Sequence, residues 1–204
     1  MQTFLPHQNF MRSAELLDKR RCWKQVVEAK QLLSTLRYEH CPESWKSKNM
    51  WQKQPYKNHP ARLMWEGFEE LLAHYYNCFL WHCKNVHKIR TVQVFIPSKY
   101  TIINTECNLL FESMDLTCGE LAFKNHREGK FPFWFTNEGF HLSHQARLIE
   151  KDRNFYLLKF PEADRFNDGE YCWPDMKNKT FRIISSTKNK KNDFKINRSG
   201  KQVP

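Results

Sequence analysis

Apolar side chains at Leu63, Met64, Phe68, Leu71, Leu72, Tyr75 and Phe79 recur at three- and four-residue steps. That spacing stacks them on one side of a helix and predicts a core helix running from Pro60 to about Cys83. A second periodic segment, Asn9 to Leu36, places Leu17, Val26, Val27, Leu33 and Leu36 on an apolar side. Its polar side carries Arg21, Gln25 and Glu28, whose spacings of four and three residues put them on one face. A third helix is expected from Asn137 to Asp152, with Asn137 as its cap. His141, His144, Arg147 and Lys151 form a polar, cationic stripe along it.

Between these helices the pattern weakens. Thr91 to Asn104 is β-branched and alternating (Val92, Val94, Ile96, Ile102, Ile103), which predicts one or two short strands. Thr180 to Ser185 is a further candidate strand. The expected fold class is therefore mostly α: a single-domain helical fold over 1–175, with a small β-containing insertion at about 91–135. A basic, flexible, partly disordered tail follows over 176–204.

Charge is concentrated at that end. Residues 176–204 hold nine Lys/Arg against Asp193 alone, a net +8 of the chain's +11. A basic tail suits attraction to nucleic acid through counterion release, or solvates the chain end. The segment Ser44–Arg62 holds five basic residues (Lys46, Lys48, Lys53, Lys57, Arg62), no acid, and the aromatic rings of Trp45, Trp51 and Tyr56. Cations between rings fit phosphate contact with base stacking; the plainer reading is tryptophans on the core and lysines in water.

Several classes are disfavoured. No run of 18 apolar residues occurs, so a membrane span is not expected. The first residues, Met1 to Gln8, lack the layout of a signal peptide. Seven cysteines at irregular spacing and without a CxxC point to reduced thiols in an intracellular protein, in nucleus or cytoplasm. Cys78, His82, Cys83 and His87 are close in sequence, but Cys83 and His87 point elsewhere on the helix than Cys78 and His82, so no zinc site is expected. Phosphate-cradling glycine motifs and serine-hydrolase motifs are absent, and neither a cofactor nor a metal is expected.

The chemistry these residues suit starts at the amino terminus. An α-amine has a pKa of about 8 against about 10.4 for lysine, so part of it is nucleophilic at neutral pH. An amine with a carboxylate such as Glu28 near it is equipped for Schiff-base chemistry at a sugar carbon.

Four blocks together resemble the pyrimidine-dimer DNA glycosylase / AP-lyase family. They are Met1-Gln2-Thr3-Phe4-Leu5-Pro6; Leu17-Asp18…Arg21…Lys24-Gln25…Glu28; Asn58-His59-Pro60…Met64-Trp65…Gly67-Phe68-Glu69; and Ser143-His144…Leu148…Lys151-Asp152…Tyr156…Tyr171-Cys172-Trp173-Pro174. The resemblance implies base excision on double-stranded DNA by a monomer. The terminal amine attacks C1′, releases the base and leaves an imine, and a carboxylate then promotes β-elimination. It places Glu28 on the family's catalytic glutamate, with Met1 supplying the amine because the bulky Gln2 prevents removal of the methionine. Gln25 falls on a family glutamate, Arg21 on a histidine, and His59 on a histidine that opens the second helix. Val27 and Gln31 stand where the family has DNA-contacting arginines, with Lys24 as a substitute. Arg147 and Lys151 are implied to hold phosphates, with His141 and His144 on the same stripe. The alternative is a nucleic-acid-binding module of the same fold that has lost the chemistry and recognises modified or damaged DNA or RNA. A metal-dependent nuclease using the histidines is a third reading.

Overall fold

The computed structural model describes residues 2–46, 56–98, 131–166, 170–185, 195–196 and 202–203. The chain is mostly helical and divides into two compact units. The first comprises Met1–Thr3 and Asn9–Phe131; the second comprises Phe4–Gln8 and Pro132–Pro204.

In the first unit the expected helix over Asn9–Leu36 is two helices, α1 (Phe10–Leu16) and α2 (Lys19–Thr35). The break has a local cause. Asp18 is extended, its carboxylate accepts the N–H of Arg21 at 3.0 Å, and it thereby starts a new helix rather than continuing the old one. The second predicted helix also divides, into α3 (Pro60–Leu63) and α4 (Glu69–Asn85). Gly67 lies between them with φ +81, a left-handed conformation that a helix cannot contain. Glu69 and Glu70 begin α4 while His82 and Lys84 end it, which matches the helix dipole at both ends.

Helices α1 and α2 both pack on α4. Phe10, Trp65, Tyr75 and Phe79 are fully buried; Phe10 meets Trp65 and Tyr75 edge to face, and Tyr75 lies tilted against Trp65 and Phe79. The Cys22 and Cys83 sulfurs meet at 3.3 Å where α2 faces α4.

Thr91 to Pro97 carries no strand, contrary to the alternating pattern. Side chains of α4 replace a partner strand. Asn77 accepts the Ile96 N–H at 3.0 Å and donates to the Ile96 carbonyl at 2.8 Å, and the Tyr76 hydroxyl donates to the Val94 carbonyl at 3.0 Å. The rest of the expected insertion, 99–130, lies outside the described residues.

The second unit is built on α5 (Glu138–Lys151), which starts where the sequence places it: Asn137 accepts the Phe140 N–H at 2.8 Å. Helix α6 (Arg153–Tyr156) and a 3-10 turn (Pro161–Phe166) follow. Four antiparallel strands then form a sheet in chain order: β1 (Glu170–Asp175), β2 (Thr180–Ser185), β3 (Lys195–Ile196) and β4 (Gln202–Val203). The expected boundary at 175/176 falls in the β1–β2 turn, where Asp175 accepts from the Lys177 and Asn178 N–H groups and from Arg182. The predicted strand at Thr180–Ser185 is thus the partner of β1.

Candidate active site

Glu28 points out of α2 toward the start of the chain. Its Oε2 accepts the peptide N–H of Gln2 at 3.0 Å, and its Oε1 lies 3.6 Å from Lys24 Nζ, one turn earlier on α2. The residue is only 6% exposed. Burial raises its pKa above the ordinary 4.5, while the Gln2 N–H, the Lys24 ammonium and the charge of the amino terminus pull the other way. Its carboxyl is therefore a group that can exchange a proton with the residues beside it.

The segment leading to Glu28 is held from a second side. The indole N–H of Trp65, just beyond α3, donates to Thr3 Oγ1 at 3.0 Å, and both side chains are buried. Residues 2 and 3 are therefore tied to α2 through Glu28 and to the end of α3 through Trp65. The sequence offered no signal for the Thr3–Trp65 bond, which spans 62 residues.

His59 caps α3: its Nδ1 accepts the Ala61 N–H at 3.1 Å. Burial lowers its pKa below 6.5, and the positive amino terminus lowers it further. Arg21 is half-buried, its guanidinium bound to Asp18 at 2.7 Å. Lys24 is largely exposed.

Three residues expected at a DNA-facing surface lie in the interior instead. Gln25 is fully buried and accepts the Tyr75 hydroxyl at 2.9 Å, joining α2 to α4. His144 is fully buried; its Nδ1 accepts the Leu5 N–H at 2.9 Å and its Nε2 lies 2.7 Å from the Tyr171 hydroxyl. His141 is buried between the carbonyls of Leu5 at 2.7 Å and Phe135 at 2.9 Å. Neither imidazole can reach a phosphate, and burial pushes both pKa values down, so neither supplies a cation. The stripe pattern missed this because a three-four spacing is equally that of a core face. Arg147 and Lys151, further along α5, keep solvent access, Arg147 while ion-paired with Glu150.

The four-residue Cys/His set on α4 does not converge. Cys78 faces His74, Cys83 faces Cys22, and the His82 and His87 rings pack edge to face at 4.9 Å. Among the described residues one group, Glu39, His40 and Glu70, brings three ligand atoms within 4.8 Å of one another. It stands apart from Glu28 in the sequence and is mostly exposed. No helix among the described residues is long and apolar enough to cross a membrane.

Glu28 is thus a buried carboxylate hydrogen-bonded to the Gln2 peptide N–H within a small helical unit. Residues 1–86 match the model of the pyrimidine dimer DNA glycosylase family, and this stretch contains α1 to α4 with Glu28, His59 and Trp65. Over that stretch the chain is similar to a family whose description is a DNA glycosylase. The fragments between Gly139 and Pro174 lie outside the match. No curated protein and no solved structure matches the chain significantly.

Proposed function

We propose that the chain is a DNA-repair glycosylase with AP-lyase activity, acting on pyrimidine dimers or other damaged bases in double-stranded DNA. The observation that carries this reading is the 3.0 Å bond between the Gln2 N–H and Glu28. Met1 lies outside the described residues, but its amine is three covalent bonds from the Gln2 nitrogen. The family match over residues 1–86 supports the same reading.

In this mechanism the unprotonated amine of Met1 attacks C1′, and the bond from C1′ to the damaged base breaks with the electron pair leaving on the base. Glu28 takes a proton from the amine as it bonds. Glu28 returns that proton to O4′ as the sugar ring opens to an iminium, whose positive charge the regenerated carboxylate stabilises. Glu28 then accepts a C2′ proton, and the electrons released expel the 3′ phosphate. Lys24, Arg147, Lys151 and Arg21 are the residues we assign to phosphate, positioning the strand without reading sequence. His59 serves the site by fixing the start of α3.

Borohydride reduction of the imine on ultraviolet-irradiated or abasic duplex tests the proposal. A covalent adduct is expected with the native chain, none after acetylation of the α-amine, and about 100-fold slower trapping with Glu28→Gln. Salt-sensitive DNA binding with no adduct at all would instead mark a binding module.

A further inference from the structure

Of the three aromatic residues in the basic segment, the structure separates two. Trp45 is buried against Tyr76, ring centroids 5.3 Å apart, with the Lys30 ammonium 4.9 Å above it. That ring belongs to the core. Trp51 lies outside the described residues. Tyr56 is 50% exposed and touches the protein edge-on, its ring perpendicular to that of His59 at 6.0 Å.

The backbone beneath the exposed ring is set by a closed turn. Tyr56 has φ +70, a left-handed conformation costly for a side chain of its size. The turn that fixes it is closed by the His59 N–H donating to the Tyr56 carbonyl at 2.8 Å. His59 is in turn fixed as the cap of α3. A turn already formed in the free protein lowers the ordering cost when a flat ligand settles on its side chain.

That turn also stands on the segment that serves the site. Helix α3 packs against α2, which carries Glu28, and Trp65 beyond it holds Thr3. The depressed pKa of His59, which burial and the terminal positive charge both lower, agrees with that placement. Lys57, next in sequence, is exposed. An exposed π-face with a cation next to it in sequence is the pairing that single nucleotides favour.

We infer that Tyr56 is a nucleobase-stacking site, receiving a base extruded from the duplex while the sugar under attack lies at the terminal amine. The inference rests on the glycosylase reading for its biological setting, but its test does not require catalysis. Stacking uses the ring face, so phenylalanine suffices in this role and the hydroxyl contributes nothing.

The test is equilibrium binding of the full chain to a duplex bearing a tetrahydrofuran abasic analogue, which cannot form an imine. A 2-aminopurine opposite the analogue reports base unstacking. Tyr56→Leu keeps bulk without a π-face, and Tyr56→Ala removes both. Each is expected to weaken binding about 5- to 100-fold and to reduce the 2-aminopurine change, with the slope of log Kd against log salt unaltered. Tyr56→Phe is expected to bind within about twofold of the native chain. Native-like binding by Tyr56→Leu, loss of binding in Tyr56→Phe equal to that in Tyr56→Leu, or no binding by the native chain overturns the inference. If the Tyr56 series behaves as expected while the native chain forms no borohydride adduct on a true abasic duplex, the lyase reading fails and the stacking site stands. An adduct with an indifferent Tyr56 series is the reverse.

Discussion

The N–H of Leu5 donates to Nδ1 of His144 at 2.9 Å, which fixes that nitrogen as an acceptor and puts the ring proton on Nε2. Protonating His144 would set a second donor against the Leu5 N–H. The ring is fully buried, and its pKa lies well below 6.5. His74 is pushed down to about 3 by burial, and His141 is lowered by the same cause.

These histidines make acid a destabiliser. When the folded pKa is below the unfolded one, the unfolded chain binds more protons between the two values, so stability falls as pH drops. The contribution is complete above pH 6.5 and is lost progressively toward about 3, the value to which His74 is pushed. Thermal melting followed by circular dichroism should show a steady fall in Tm from pH 7 to 4. His144→Ala should cost about 2–4 kcal/mol at pH 8 and flatten part of that slope.

How far the sequence could be read follows from the reach of each signal. Asn137 and the periodic run after it gave α5 nearly to the residue, because capping and helical spacing are local. The same locality explains the two misplaced breaks: Asp18 and Gly67 both lie inside continuous apolar patterns, and periodicity alone runs through them. Glu28 was legible as a candidate from its spacing and from the family resemblance, and its bond to Gln2 links positions 26 residues apart. Gln25, His141 and His144 were misread because burial is decided by partners distant in the chain: Tyr75 for Gln25, Leu5 for the histidines. Thr91–Pro97 has the β-branched alternation of a strand but forms none, because Asn77 and Tyr76 side chains give it the hydrogen bonds a neighbouring strand would supply.

Glu28→Gln should separate function from stability. The folded pKa of Glu28 is raised above 4.5 by burial, so the fold favours the protonated form. That contribution is fully present below pH 4.5 and lost as pH rises through the folded value, which leaves the ionised carboxylate a burden at pH 8. The amide keeps an oxygen for the Gln2 N–H. Its Tm at pH 8 should equal or exceed that of the native chain, with the difference vanishing toward pH 4. Trapping activity should drop about 100-fold or more in the same protein.

Thr3→Val should also damage activity more than the fold, but by loosening position rather than removing a reacting group. It removes the acceptor for the Trp65 indole N–H at nearly constant volume, at a cost of about 1 kcal/mol. The loss loosens one of the two ties on the residues beside the amine. Misplacement by even an ångström slows a positioned reaction steeply. Single-turnover trapping should slow about tenfold or more, while urea denaturation reports only the small stability change.

Gly67→Ala tests whether the α3–α4 joint is set by backbone conformation alone. The residue has φ +81, and a Cβ built there meets nothing within 4 Å, so no clash adds to the conformational cost. Its N–H donates to Glu69 Oε1 at 2.9 Å, a bond alanine retains. The expected penalty is therefore that of a left-handed residue, about 1 kcal/mol, and Gly67→Asn should lose less because asparagine tolerates that region. Urea titration should show a lower midpoint with an unchanged slope for both variants. A loss of several kcal/mol for alanine would mean that the turn must open to accept a side chain. Tyr56, His59 and Trp65 would then shift with it, and trapping would fail together with stability.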